Sequence, residues 1–301
     1  MTSFSGIWVP LVTPFRRDGA VDHTALHALT LQLAPRIAGL VVCGSTGEAH
    51  ALDEDEQLAV LDTVLQAAPG TPVAMGLGGP HRPRLHAQLA SLRSRPLAGL
   101  LVPPPYYVRP SQAAIADYFL DLADRAHCPL IAYNIPYRTG VAMEFDTFER
   151  IAAHPNIEAV KDCGGSPALT LDLITRTGLQ VLAGEDGNIL TTLCAGGSGA
   201  ITAAAHILPQ RYTAVYEAVR TERLQQAQTI FHRLWPLIQL LFAEPNPAGI
   251  KAALAQQGLI QDFCRAPMSS ATPGLRAQLV TLLEEMEREI DGEPAWHGAT
   301  R

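Results

Sequence analysis

The sequence predicts an α/β chain folded as a (β/α)8 TIM barrel with a C-terminal helical extension. Three observations predict it. Eight short apolar runs, each bounded by Gly, Pro or polar residues, alternate with amphipathic stretches between residues 7 and 220. Apolar runs without a polar face are how parallel strands buried on both sides read. The chain has 301 residues, 48% of them hydrophobic and 17% charged, which suits one large core better than two small ones. Eight strand–helix units fit a closed barrel better than an open sheet.

The first apolar run, 7–12, leads to a helical pattern over 22–34, with Asp22 as its capping residue. Run 39–43 precedes a helix over 53–66, where Asp53 and Glu56 have capping-box spacing. Runs 72–76 and 99–102 alternate with helices 83–94 and 112–125, the latter capped by Ser111. Runs 129–133 and 158–161 pair with helices 145–153 and 168–175, and runs 180–183 and 199–202 with helices 188–195 and 209–220. After Arg220 the strands stop. Three helical patterns, 223–242, 247–257 and 273–290, follow, and 292–301 reads as a tail. The expected division is a barrel over 1–221 that carries the active site and a purely structural helical extension over 222–301.

The composition excludes several functions. A net charge of -7 with scattered arginines is no nucleic-acid footprint. The five cysteines form no CxxC pair and read as buried free thiols in a reducing compartment. The ten histidines include no HExxH motif, the commonest helical zinc-binding pattern of hydrolases. The first residues do not resemble a signal peptide, and no apolar run is long enough to span a membrane, so the expected home is the cytoplasm, with no membrane or nucleic-acid partner. Lysine is nearly absent: Lys161 and Lys251 stand against twenty arginines. A lysine here can mark a place where arginine cannot serve, because only lysine readily gives up its proton when desolvated.

Barrel active sites lie at the C-terminal ends of the strands. Lys161 closes the sixth run. Pointing inward it would be desolvated, its amine could be neutral, and it could form an imine with a ketone. The competing reading is an ion-pair lysine, held by Asp162 or Glu185. Gly44-Ser45-Thr46-Gly47-Glu48 follows the second run, and its N–H groups and two hydroxyls could hold a small carboxylate. Glu48 is expected to brace that loop, and His50 to stand near the mouth as a bystander. Tyr133 ends the fifth run and could relay protons above the lysine. Arg138, on the loop beyond it, could fork onto a carboxylate. Taken singly, a buried structural tyrosine and a surface salt bridge are the plainer readings of those two.

Together, Gly44-Ser45-Thr46-Gly47-Glu48, Tyr133-Asn134-Ile135-Pro136 and Val160-Lys161-Asp162 resemble the dihydrodipicolinate synthase and N-acetylneuraminate lyase family over essentially the whole chain. The 242–247 stretch, Phe-Ala-Glu-Pro-Asn-Pro, is part of the match. The resemblance implies a lyase working through an imine of pyruvate on Lys161, with no metal or organic cofactor. It implies that Ser45 and Thr46 bind the pyruvate carboxylate, and that Tyr133 and Ser45 relay protons. Tyr107 would enter the neighbouring subunit's site, which makes the protein a tight homodimer or a homotetramer. Arg138 would bind the carboxylate of aspartate semialdehyde, and Ile201 and Gly184 would line the pocket. Ser45 in place of threonine, Tyr137 in place of a small residue and Asp162 in place of glutamate depart from the synthases. These departures keep open an aldolase or dehydratase of 2-keto-3-deoxy sugar acids, whose hydroxyls Gly184-Glu185-Asp186 could meet. A non-catalytic sensor barrel is the third alternative. Glu54, Gln57, Pro80 and Arg84 replace the usual polar ligands at positions matching the synthases' lysine-feedback site, which argues against feedback by lysine.

Overall fold

The computed structural model describes residues 4–292. Strands β1 Gly6–Pro10, β2 Gly39–Val42, β3 Val73–Gly76, β4 Gly99–Val102, β5 Leu130–Asn134, β6 Ile157–Asp162, β7 Gln180–Ala183 and β8 Gly199–Ile201 form a closed barrel in sequence order. Every pairing is parallel, and β8 closes on β1 with Ile7 opposite Ala200. Helices α1 His23–Leu33, α2 Glu54–Ala67, α3 Arg82–Leu92, α4 Gln112–Arg125, α5 Pro136–Thr139, α6 Phe145–Ala152, α7 Pro167–Arg176, α8 Ile189–Cys194 and α9 Pro209–Arg220 lie between and after the strands. Helices α10 Leu224–Leu241, α11 Ala248–Gln256 and α12 Pro273–Gly292 form the extension. None of the described helices is long and apolar enough to cross a membrane.

Local chemistry sets the helix starts. Asp22 accepts from the Ala25 N–H, Asp53 and Glu56 complete a capping box, and Ser111 accepts from the Ala114 N–H. Such caps contribute about 1 kcal/mol each by satisfying N–H groups the helix cannot pair. The period-two alternation of the strands divides the core into two layers. Leu40, Val42, Leu100 and Val160 face the helices. Val41, Ala74, Leu101, Ile131, Ala159, Leu182 and Ile201 fill the barrel interior, with Trp8 among them. Trp8 needs Gly39 opposite: a Cβ at Gly39 would lie 2.5 Å from the indole ring.

The structure departs from expectation in small ways. The segment carrying Arg138 forms the one-turn helix α5 rather than a loop, since four residues are too few to show a helical period in the sequence. Cys194 is exposed, whereas the other four cysteines are buried free thiols. Its helix α8 is short, and only Ile189, Thr192 and Leu193 are its buried residues, so the last turn meets solvent. The expected tail lies, apart from Gly292, outside the described residues.

Candidate active site

The interior face of β6 carries Ala159, Lys161 and Cys163, and that of β5 carries Ile131, Tyr133 and Ile135. The strands pair with Tyr133 opposite Lys161, so both side chains enter the barrel at one level. The Lys161 side-chain nitrogen lies 4.5 Å from the centre of the Tyr133 ring, and Lys161 is only 5% exposed. Alternation turns Asp162 the other way. Its carboxylate accepts from Asn134 Nδ2 at 2.9 Å, the Gly164 N–H at 2.9 Å and Thr170 Oγ1 at 2.7 Å. Glu185 accepts from the Tyr137 hydroxyl at 2.8 Å. Neither carboxylate forms an ion pair with Lys161, so the ion-pair reading of this lysine loses both its partners.

The loop after β2 turns sharply. Cys43 (φ 52°) and Glu48 (φ 53°) both adopt the left-handed region, which costs a residue with a Cβ and brackets the segment Gly44–Gly47 between two fixed bends. Thr13 Oγ1 holds the Gly47 carbonyl at 2.7 Å, and Glu48 is fully buried beneath. The Thr46 hydroxyl accepts from Asn246 Nδ2 at 2.9 Å. A hydroxyl has one donor and two lone pairs, so Thr46 keeps its proton for a second partner.

Ser45, Thr46, Tyr133, Arg138, Lys161, Gly184 and Ile201 all line one cavity of about 70 Å³ at the C-terminal ends of the strands. Of the residues given a catalytic or substrate-binding role by the resemblance, Tyr107 is the exception. It is 92% exposed with φ 74° and is not among the residues that line this cavity. Gly184 has no room for a side chain, since a Cβ there would lie 2.3 Å from Cys163 Sγ. Tyr137, Glu185 and Asp186 complete the polar lining. The extension was expected to be purely structural, but it brings Phe242 and Asn246 into the same cavity. The 242–247 stretch that interrupts two helical patterns was the available signal for them.

A second cavity of about 410 Å³ adjoins the first, and Ser45, Tyr133 and Arg138 line both. His50, Gln57, Pro80, Arg84 and Tyr106 lie along it. Arg84 is tied to Glu54 at 2.6 Å, and Gln57 donates to the Ala49 and Leu52 carbonyls.

Burial dominates the electrostatics. It pushes the Tyr133 phenol well above its ordinary range, while the neighbouring Ser45 hydroxyl and Arg138 pull it back. Burial likewise raises the Cys163 thiol, against the pull of Lys161. Asp186 is pushed up to about 6 by burial, opposed by hydrogen bonds from Thr202 and the Ala204 N–H and by the charge of Lys161. A recessed amine, a phenol above it, two hydroxyls beside it and a guanidinium at the mouth can together receive a small 2-keto acid and move protons at its α-carbon.

A match to the dihydrodipicolinate synthetase family spans residues 3–286. The chain belongs to this family. It is 38% identical over 290 residues to a 4-hydroxy-tetrahydrodipicolinate synthase of Sorangium cellulosum, covering 94% of this chain and 96% of that protein. A synthase of the same name from Haloarcula marismortui is 35% identical over 291 residues, covering 95% of each. Among solved structures, the 4-hydroxy-tetrahydrodipicolinate synthase of Methylacidiphilum fumariolicum superposes with a TM-score of 0.92 at 27% identity, over 96% of this chain and 98% of that one. Membership makes the protein a pyruvate-dependent enzyme of the class I aldolase type.

Proposed function

We propose that the protein condenses pyruvate with aspartate semialdehyde through an imine on Lys161. The observation that carries this reading is the shared cavity: Lys161, Tyr133, Ser45, Thr46 and Arg138 come from the ends of three strands, β2, β5 and β6, and line one space of about 70 Å³. Thr46, already accepting from Asn246, turns its proton to the pyruvate carboxylate together with Ser45. The Lys161 amine adds to the keto carbon, water leaves, and the nitrogen becomes an iminium. A methyl proton leaves through Tyr133, and the electron pair collapses toward nitrogen to give an enamine. The enamine carbon then attacks the aldehyde carbon, and Arg138 holds the carboxylate of that second substrate. Water finally returns to release Lys161.

In this reading Tyr107 serves a second copy of the chain. Its exposure and its left-handed backbone support that role, because strain of this kind persists where a residue is needed in one place. The proton path from Tyr133 through Ser45 would then lead to the partner's Tyr107, and the protein would be at least a dimer.

One observation favours a second reading. The Tyr137–Glu185 hydrogen bond narrows the mouth and offers a carboxylate to hydroxyls, which suits 2-keto-3-deoxy sugar acids undergoing aldol cleavage or dehydration. Turnover of aspartate semialdehyde with pyruvate, compared with a panel of such acids, separates the two. Synthase activity that survives intact in Arg138→Ala would overturn the carboxylate clamp. Borohydride reduction in the presence of pyruvate is expected to add one pyruvyl group to the wild type and none to Lys161→Ala.

A further inference from the structure

Two carboxylates line the Lys161 cavity, and they are held differently. Glu185 is partly exposed and accepts from the Tyr137 hydroxyl. Asp186 is buried, at the first turn after β7. Thr202 Oγ1 and the Ala204 N–H, the latter at 2.7 Å, both donate to the same oxygen, Oδ1. Among the described residues no hydrogen bond reaches Oδ2, and Asp186 lines the cavity that Lys161 lines. Satisfying Thr202 and Ala204 requires only an acceptor, which a neutral asparagine would supply at lower desolvation cost. The charge itself therefore needs a reason, and Lys161 is the cation that acts on it.

We infer that Asp186 is the built-in counter-charge of the Lys161 iminium, a positioning residue that acts through Lys161 rather than on the substrate. This rests on the reading that Lys161 forms the imine. Loss of water from the carbinolamine leaves a cation on nitrogen inside a poorly solvated cavity. A fixed anion nearby favours that cation over the neutral amine, and it needs no reorganisation when the charge appears. Deprotonation of the methyl group then returns the nitrogen to neutrality as the enamine forms.

The other titratable groups around Asp186 are Glu185 beside it, the buried Tyr212 phenol from α9, and Tyr133, Tyr137 and Arg138 along the cavity. Helix α10 packs Trp235 against Gly187 and turns its His232 and Arg233 outward. Because burial holds the Asp186 carboxyl up to about 6, the counter-charge is present at neutral pH and disappears just below it.

The test compares wild type and Asp186→Asn by borohydride trapping at subsaturating pyruvate from about pH 5 to about pH 8, with the adduct weighed by mass spectrometry. Asparagine keeps the Oδ1 acceptor and removes only the charge. At the alkaline end the variant is expected to trap about tenfold less adduct, the equivalent of one unit on the nitrogen's proton affinity. Below about 6, where the wild-type carboxyl is itself neutral, the two should converge. Equal trapping at every pH, or a deficit of constant size, overturns the inference. Absence of any wild-type adduct instead overturns the Lys161 reading. Thr202→Val, which keeps the charge but removes a donor from it, should lose trapping at a higher pH than wild type. A profile that does not move overturns the inference independently, even if Asp186→Asn fails to fold.

Discussion

The two lysines of this chain are both buried, yet they are held in opposite ways. Lys251, on α11, is saturated. It is paired with Glu48, it donates to the Phe263 carbonyl at 2.9 Å, and it lies 4.3 Å over the Phe15 ring. The second Glu48 oxygen accepts from the Arg265 N–H at 3.0 Å. Arg265 then forks onto Glu56 at 2.7 and 2.5 Å and donates to the Gly19 and Ala51 carbonyls. Lys161 faces a cavity and touches no carboxylate. Charge complementarity is spent in one place on holding the β2 loop against the extension, and in the proposed reaction it is left available in the other for a charge that arises on Lys161. Burial lowers the Lys251 amine, but Glu48 pulls it back toward the charged form, so its proton is engaged rather than available.

The largest effect expected from this contrast is on activity. Lys161→Arg should abolish imine trapping and lower kcat by at least about a thousandfold, since a guanidinium cannot become the nucleophile. Its melting temperature should hold or rise, because no ion pair is lost. A variant that loses stability in step with activity would mean that Lys161, too, is structural.

At Lys251 the order reverses. Lys251→Met should cost about 3–5 kcal/mol of stability in denaturant titration, because it leaves Glu48 charged, buried and unpaired. The double variant Lys251→Met/Glu48→Gln should recover much of that loss, since apolar or neutral replacements of both partners spare the desolvation cost. What activity remains in Lys251→Met should show a raised pyruvate KM with less change in kcat, because Glu48 is two residues from Thr46. A single variant as stable as wild type would erase the distinction between the two lysines.

This contrast was half legible in the sequence. Lysine scarcity marked both positions, and strand-end placement picked out Lys161, Tyr133, Ser45 and Arg138, because period-two alternation and the barrel rule act within a few residues. The brace expected at Glu48 is there, but its partners, Lys251 and Arg265, come from 203 and 217 residues away, and no local pattern links them. Asn246 and Phe242 reach the cavity for the same reason: an extension of helices shows its own apolar face in the sequence, not the barrel end it covers. The sequence offered Asp186 only within Gly184-Glu185-Asp186, as a group that could meet sugar hydroxyls, because its burial depends on β8, α9 and α10 closing around it.

The smallest expected effect concerns acid stability, and it bears on the cost of the charge left available near Lys161. His206 is buried, accepts the Val12 N–H at Nε2 and faces the Ala203 carbonyl through Nδ1, and burial lowers it from 6.5 to about 4. The unfolded chain therefore takes up this proton first as pH falls, so folding stability is lost between about 6.5 and about 4, by roughly 3 kcal/mol in all. Asp186 works in the other direction. Its carboxyl is raised from 3.8 to about 6, so the folded chain takes up that proton first, and stability is gained over nearly the same window by a similar amount. The two groups should nearly cancel in the wild type. Asp186→Asn removes the gain and leaves the loss, so its stability at neutral pH should equal or exceed that of wild type but fall more steeply on acidification. Urea titrations of both proteins at about pH 7 and about pH 4.5 measure the difference. Parallel falls in the two would mean that Asp186 carries no desolvation cost, and that its buried charge is then no stability sacrificed for the chemistry at Lys161.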